Sequence, residues 1–109
     1  MTATLVLPGS SEDAFALARQ GITFLKQGLI QEAIPRFRRF LDLNPSCADV
    51  WNNLGIALYE ADDFQAAVAC YRRALALRPD FAGAHVNLGN ALRELGRLQE
   101  ADACFRSAL

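Results

Sequence analysis

Apolar residues recur every three to four positions along most of this chain, which is the spacing of one face of an α-helix. In the first such stretch they are Phe15, Leu17, Ala18, Ile22, Phe24 and Leu25. The pattern predicts a first helix ended by Gly28, followed by helices over about residues 30–43, 48–60, 64–77, 82–94 and 98–109. Because only a few residues separate consecutive helices, we expect antiparallel helical hairpins.

Turn and capping residues stand at the predicted helix boundaries. Gly28 and Gly96 suit left-handed C-terminal caps, and Asp62 with Asp63 forms the turn between the third and fourth helices. Ser46 precedes the third helix and Asp80 precedes the fifth, so we expect each side chain to cap the helix that follows it.

The hydrophobic pattern itself repeats with a period of 34 residues. Residues 48–75 and 82–109 are identical at 14 of 28 positions without a gap, and residues 14–41 match 48–75 at 8 of 28. A fixed period of this length indicates a repeat architecture, in which each unit stacks on its neighbours. We divide the chain into a tail, 1–11, and a repeat domain, 12–109, with units 14–47, 48–81 and a truncated 82–109. Two interpretations of the tail are open. It is either a frayed chain end, or an extended strip that lies with Leu5–Leu7 against a neighbouring apolar surface.

Several spaced residues carry a resemblance to a known repeat. The second unit contains Trp51-x2-Leu54-Gly55-x2-Leu58, followed by Ala67, Tyr71, Ala74 and Pro79. This order is similar to the tetratricopeptide repeat. The second and third units resemble those of O-linked N-acetylglucosamine transferases and of bacterial tetratricopeptide repeat proteins. The resemblance implies an all-α fold of three tandem helix–turn–helix hairpins in a right-handed superhelical solenoid, with no clear C-terminal capping helix.

A glycine falls in the middle of the first helix of each unit, at Gly21, Gly55 and Gly89. Glycine there costs roughly 0.5–1 kcal/mol relative to alanine, so a compensating contact is required. We expect the two helices of each hairpin to approach closely at this point, with small residues of the second helix across the contact. Those residues are Ala33, Ala67 and Ala101.

In the family that the chain resembles, the first helix of each hairpin lines a concave groove that binds partners. The candidate groove residues here are Arg19, Ile22, Asp49, Asn52, Asn53, Ile56, Tyr59, Val86, Asn87, Asn90 and Arg93. Asn53 and Asn87 occupy the same slot in consecutive units, and an amide side chain offers both donors and acceptors. They resemble the asparagine ladder of the O-linked N-acetylglucosamine transferases, which Arg19 interrupts in the first unit. The ladder predicts contact with the backbone of an extended peptide, whereas local bonding within the helix pair is the alternative.

A second subclass of the family holds a C-terminal carboxylate in a clamp of lysine, asparagine and arginine side chains. The five corresponding positions are Ala18, Ile22, Asn53, Gly83 and Asn87, and only Asn53 fits that pattern. Binding of chaperone tails by such a clamp is therefore not expected.

Composition narrows the classes of function. The formal net charge of −1 gives no long-range attraction for nucleic acid or anionic membranes. No apolar run reaches the ~20 residues of a membrane helix. Three cysteines without a CxxC pair indicate a reduced, cytoplasmic location. The single histidine, His85, stands in the slot of Trp51, which favours packing over metal binding or catalysis, so we expect no cofactor, no metal and no enzymatic activity.

The sequence therefore predicts a non-catalytic interaction scaffold whose partner is a protein or an extended peptide. Two alternatives are open. The chain is either the N-terminal recognition arm of a larger bacterial transferase, or a segment that forms homo-oligomers through the apolar ends of its repeat stack. Neither nucleic acid nor a membrane is expected as a partner.

Overall fold

The computed structural model describes the backbone of residues 11–109 and the side chains of residues 14–109. Every element in this part of the chain is a helix, which confirms the predicted all-α fold. The helices are Ser11–Lys26 (α1), Ile30–Leu43 (α2), Ala48–Glu60 (α3), Phe64–Leu77 (α4), Ala82–Glu94 (α5) and Leu98–Ala108 (α6). The predictions for the tail, including the strip over Leu5–Leu7, lie outside the described residues, except that α1 begins at Ser11.

The six helices form three hairpins that stack in chain order. Each helix packs against the next along the chain, and the first helices of neighbouring hairpins also touch, α1 against α3 and α3 against α5. The resulting molecule is elongated, with dimensions of 60 × 26 × 19 Å. A continuous apolar core runs through the stack because each hairpin buries one flank against its neighbour.

The turns inside the three hairpins have the same backbone geometry. Gly28, Asp62 and Gly96 lie 34 residues apart and have φ values of 77°, 63° and 78°. In each turn the following N–H donates to the carbonyl five residues earlier, as in Asp63 to Leu58 at 2.9 Å and Arg97 to Leu92 at 2.9 Å. This is the hydrogen-bond pattern of a Schellman cap, which satisfies carbonyls left free at a helix end.

The starts of α3 and α5 correct the sequence-based prediction. Cys47 and Phe81 are the N-cap residues, and neither helix has a side-chain cap, so the capping roles predicted for Ser46 and Asp80 are wrong. Asp63 does cap α4, because its carboxylate accepts from the N–H of Ala66 at 3.3 Å.

A ring nitrogen fixes the approach to α3 and to α5 instead. Trp51 Nε1 donates to the carbonyl oxygen of Pro45 at 2.7 Å, and His85 Nε2 makes the equivalent bond to Pro79 at 2.8 Å. Both bonds reach back six residues, so His85 takes over the hydrogen-bonding role of Trp51 in the next repeat. This agrees with the packing role predicted for His85.

The mid-helix glycines make room for aromatic rings. A Cβ atom on Gly55 would lie 2.4 Å from Cε1 of Tyr71, and one on Gly89 would lie 2.5 Å from Cε1 of Phe105. The predicted close approach is confirmed, but the nearest atoms belong to these rings and not to the alanines proposed from the sequence. The three alanines are nevertheless buried in the hairpins, with Ala33 and Ala67 at 0% and Ala101 at 2% exposure.

Candidate functional site

The predicted groove residues lie on α1, α3 and α5, the first helices of the hairpins. Four of them, Ile56, Tyr59, Asn87 and Asn90, line one pocket of about 190 Å³ between α3 and α5. Glu60 and Tyr71 complete its lining. Tyr71 belongs to the repeat motif and is not in the predicted groove set. Its edge nevertheless borders this pocket.

Two asparagines join α3 to α5 beside the pocket. Asn87 Nδ2 donates to Asn52 Oδ1 at 3.0 Å, in a partly buried position. Asn52 is only 9% exposed, which makes it the one buried member of the predicted groove set. Its side chain therefore orients Asn87 within the helix contact and does not form open groove surface, a correction to its predicted exposure.

Asn53 differs from Asn87 although both occupy the same repeat slot. The residue that would face Asn53 from the preceding repeat, 34 positions before Asn52, is Ala18. Alanine has no amide, and no side-chain hydrogen bond to Asn53 occurs among the residues that the structure describes. The Asn53 amide is half-buried, and its hydrogen-bonding groups are uncommitted within that part of the chain.

Charged side chains flank the pocket. Tyr59 Oη donates to Glu94 Oε1 at 3.4 Å, and the Tyr59 ring packs edge-on against Phe64 with centroids 5.2 Å apart. Partial burial and the Glu94 carboxylate raise the pKa of the Tyr59 hydroxyl above its ordinary value. A tyrosine hydroxyl is protonated at neutral pH, so it acts here as the donor to Glu94. Arg93 Nη2 donates to Asn90 Oδ1 at 3.2 Å, which holds the amide at the pocket edge.

The remaining predicted residues lie apart from this pocket. Arg19 lines a separate depression on α1 with Ala16, Gln20, Thr23 and Phe24. Asp49 is already paired with Arg78 at 2.8 Å, and the Arg78 guanidinium also lies 3.9 Å from the Phe81 ring centroid. Val86 is 40% exposed, and Ile22 is half-buried on α1. The structure thus brings one subset together between α3 and α5 and leaves the others spread along the helices.

Two observations concern metal binding and thiol chemistry in the described part of the chain. No group of three or more His, Cys, Asp or Glu side chains suited to a metal ion occurs among them. Burial raises the pKa of the Cys70 thiol to about 11, so this cysteine is protonated and unreactive at neutral pH. Among the described helices, none has both the length and the apolar character needed to cross a membrane.

Solved structures with the same architecture include tetratricopeptide repeat domains. The first such domain of Spaghetti (RPAP3), bound to the HSP90 peptide SRMEEVD, is 26% identical with a TM-score of 0.88, covering 95% of this chain and 82% of that one. The corresponding domain of Arabidopsis OM64 is 28% identical with a TM-score of 0.88, covering 90% and 81%. MamA is 27% identical with a TM-score of 0.87, covering 90% of this chain and 58% of its own.

Family models match the sequence itself. One tetratricopeptide repeat model matches residues 48–81, and a second matches residues 70–103, beginning inside α4. Together they span residues 48–103, more than half of the chain. No curated protein matches at a significant level. With three stacked hairpins, recurring glycine–aromatic contacts and these matches, the chain belongs to the tetratricopeptide repeat family.

Proposed function

We propose that this chain is a non-catalytic interaction scaffold that binds an extended segment of a partner protein along α1, α3 and α5. The observation that carries the proposal is the uncommitted amide of Asn53. It lies on the same row as Asn87, which Asn52 holds in place at 3.0 Å. Two amides one repeat apart can each donate to and accept from a peptide backbone without reading its side chains.

The pocket between α3 and α5 supplies the selectivity that backbone contacts lack. Its lining combines the apolar side chain of Ile56, the ring of Tyr59 and the carboxylate of Glu60. Glu94 lies next to it through its bond to Tyr59. An apolar side chain, or a basic one with an apolar stem, complements this surface because the nearby charges are predominantly acidic.

The comparison structures support peptide binding by this fold. The residues of this chain, however, favour a ligand other than a free C-terminal carboxylate. The RPAP3 domain is described in complex with an HSP90 peptide. At the clamp positions inferred from the family, this chain has Ala18, Ile22 and Gly83, which carry no charge. We therefore propose recognition of an internal peptide segment and not of a free C-terminal carboxylate.

Other sequence-based predictions belong to the same proposal. The likeness of the asparagine pair to that of O-linked N-acetylglucosamine transferases stays a prediction, as do the repeat boundaries and a cytoplasmic location. An absence of catalytic activity is consistent with the family, whose repeat is a binding unit.

A display library of internal twelve-residue peptides tests the proposal. Binders are measured by calorimetry against the wild-type chain and against Asn53→Ala. We expect Asn53→Ala to weaken binding by about tenfold, equivalent to about 1.4 kcal/mol, with unchanged thermal stability. Arg106→Ala is the matched control, since Arg106 lies on α6 and pairs with Asp102 at 2.9 Å. Peptides that bind Asn53→Ala and the wild type equally would contradict the amide mechanism.

A further inference from the structure

A second cleft lies between the second helices of the first two hairpins. It has a volume of about 570 Å³, and we call it the α2–α4 cleft. Its floor consists of Leu41, Leu54 and Leu58, and its charged rim consists of Arg38, Asp42 and Arg73. None of these residues belongs to the candidate groove on α1, α3 and α5.

The rim of the α2–α4 cleft carries more positive than negative charge. Arg38 and Arg73 are both exposed, and the Arg73 guanidinium lies 5.2 Å from the Trp51 ring centroid. Within the described part of the chain, neither arginine forms an ion pair, whereas Arg72, Arg78, Arg97 and Arg106 do. Charge complementarity therefore favours an occupant that brings a carboxylate.

The next repeat shows which group pairs with an arginine at the position of Arg38. Arg72, which is 34 residues after Arg38, donates from Nη2 to Glu100 Oε2 at 3.3 Å and so joins α4 to α6. Arg97 holds the same carboxylate at 2.8 Å. The residue 34 positions before Glu100 is Ala66, which also lines the α2–α4 cleft. The α2–α4 cleft therefore has the arginine of this repeat position, Arg38, but it has alanine where the next repeat has the carboxylate of Glu100.

We propose that the α2–α4 cleft binds a partner segment that places a carboxylate side chain on Arg38 and a neighbouring bulky apolar side chain on the leucine floor. The carboxylate replaces the one that Glu100 supplies one repeat later. This site is separate from the groove proposed above, and the two can be occupied independently.

The single tryptophan of the chain makes occupancy directly measurable, since Trp51 lines the cleft. We would titrate the full chain with three acetylated and amidated hexapeptides, which carry Phe-Glu, Phe-Gln or Phe-Lys in a Gly-Ser background. The readout is the indole N–H resonance of Trp51. The expected result is a saturable shift with the Phe-Glu peptide and at least fivefold weaker binding of the other two.

Five variants locate the site. Arg38→Ala should weaken binding of the Phe-Glu peptide at least fivefold. Arg39→Ala should not, because Arg39 lies next in sequence but does not line the cleft. Ala66→Glu should also weaken binding at least fivefold, since it supplies Arg38 with the carboxylate present in the next repeat. Ala66→Gln is its uncharged control of matched size and should weaken binding less. Asn53→Ala should leave the titration unchanged, which separates this cleft from the groove.

Several results would overturn the proposal. One is equal binding of the Phe-Glu and Phe-Gln peptides, and another is binding that Arg38→Ala does not change while the variant stays folded. An indole shift that grows with protein concentration alone would assign the cleft to a second copy of the chain. Peptide binding that appears only after deletion of residues 1–10 would assign the cleft to the chain's own N-terminal segment.

Discussion

At the scale of single residues, the turn between α3 and α4 shows how the repeat tolerates a departure from its pattern. Asp62 has φ of 63° where the other two hairpins have glycine. The left-handed region costs an L-residue roughly 1–2 kcal/mol, less for aspartate. We predict that Asp62→Gly raises the free energy of unfolding by about 0.5–1 kcal/mol, measured by urea denaturation.

The two equivalent turns provide the control. Gly96→Ala places a Cβ at φ of 78°, where nothing lies within 4 Å, so any loss of stability reflects backbone strain alone. We expect a loss of about 1 kcal/mol. A destabilised Asp62→Gly variant would show that the aspartate side chain stabilises the turn by more than the strain costs.

The amides of the groove should separate into structural and binding roles. Asn87→Ala leaves the buried Oδ1 of Asn52 without its donor, which costs about 1–3 kcal/mol. Asn53→Ala removes no described side-chain hydrogen bond and should change stability by less than about 0.5 kcal/mol. Thermal and urea unfolding of both variants tests this difference. Equal destabilisation would assign Asn53 a structural role and weaken the proposed ladder.

At the scale of the helix pair, the glycine–aromatic contact sets the closest approach inside each hairpin. Gly55→Ala would put a Cβ 2.4 Å from the Tyr71 ring, so the hairpin must open or the ring must move. We predict a loss of about 1–3 kcal/mol in the free energy of unfolding, the usual cost of overpacking.

Gly83→Ala is the matched control for Gly55→Ala, since it makes the same change in another helix of this chain. Gly83 lies in α5, and a Cβ there would meet the Phe81 ring at an ordinary 3.5 Å. Because alanine is the better helix former, this variant should gain about 0.5–1 kcal/mol. If the two alanine variants were equally stable, the ring contact would not be the reason for glycine at position 55.

The helices could be predicted from the sequence because apolar spacing and turn residues are local signals that recur at a period of 34. The contacts between repeats could not be predicted in this way. Asn52–Asn87 and Tyr59–Glu94 are each 35 residues apart, and Arg72–Glu100 is 28 apart. These pairs join different slots of neighbouring units, so an overlay of the repeats does not reveal them.

The N-caps show a related limit. Serine and aspartate before a helix are favourable capping residues, yet the backbone that leads into α3 and α5 is fixed by Trp51 and His85 bonding to the two prolines. The N-cap is one residue later than predicted, at Cys47 and Phe81, although both helices begin at the predicted residues, Ala48 and Ala82. A side-chain bond that reaches six residues back along the chain thus accompanies the loss of the expected capping preference.

At the scale of the whole molecule, the two ends of the stack differ in what they expose. On α1, Phe15 is 61% exposed and borders a small pocket with Ala14 and Phe40. On α6, Leu98 is 63% exposed, whereas Leu92 and Ala101 are buried inside the hairpin. Two unlike apolar ends favour a head-to-tail contact, which does not close on itself and so continues from copy to copy.

We therefore predict concentration-dependent self-association without a plateau at the dimer. Sedimentation equilibrium of the wild-type chain should give an average mass that rises steadily with concentration. Phe15→Glu should lower that mass at every concentration, because it places a charge on an end contact that must be dehydrated. Val86→Glu adds the same charge at an exposed groove position and should leave the mass unchanged. A monomer at all concentrations would discard self-association, and a mass that stops at the dimer would replace the head-to-tail contact with a symmetric one.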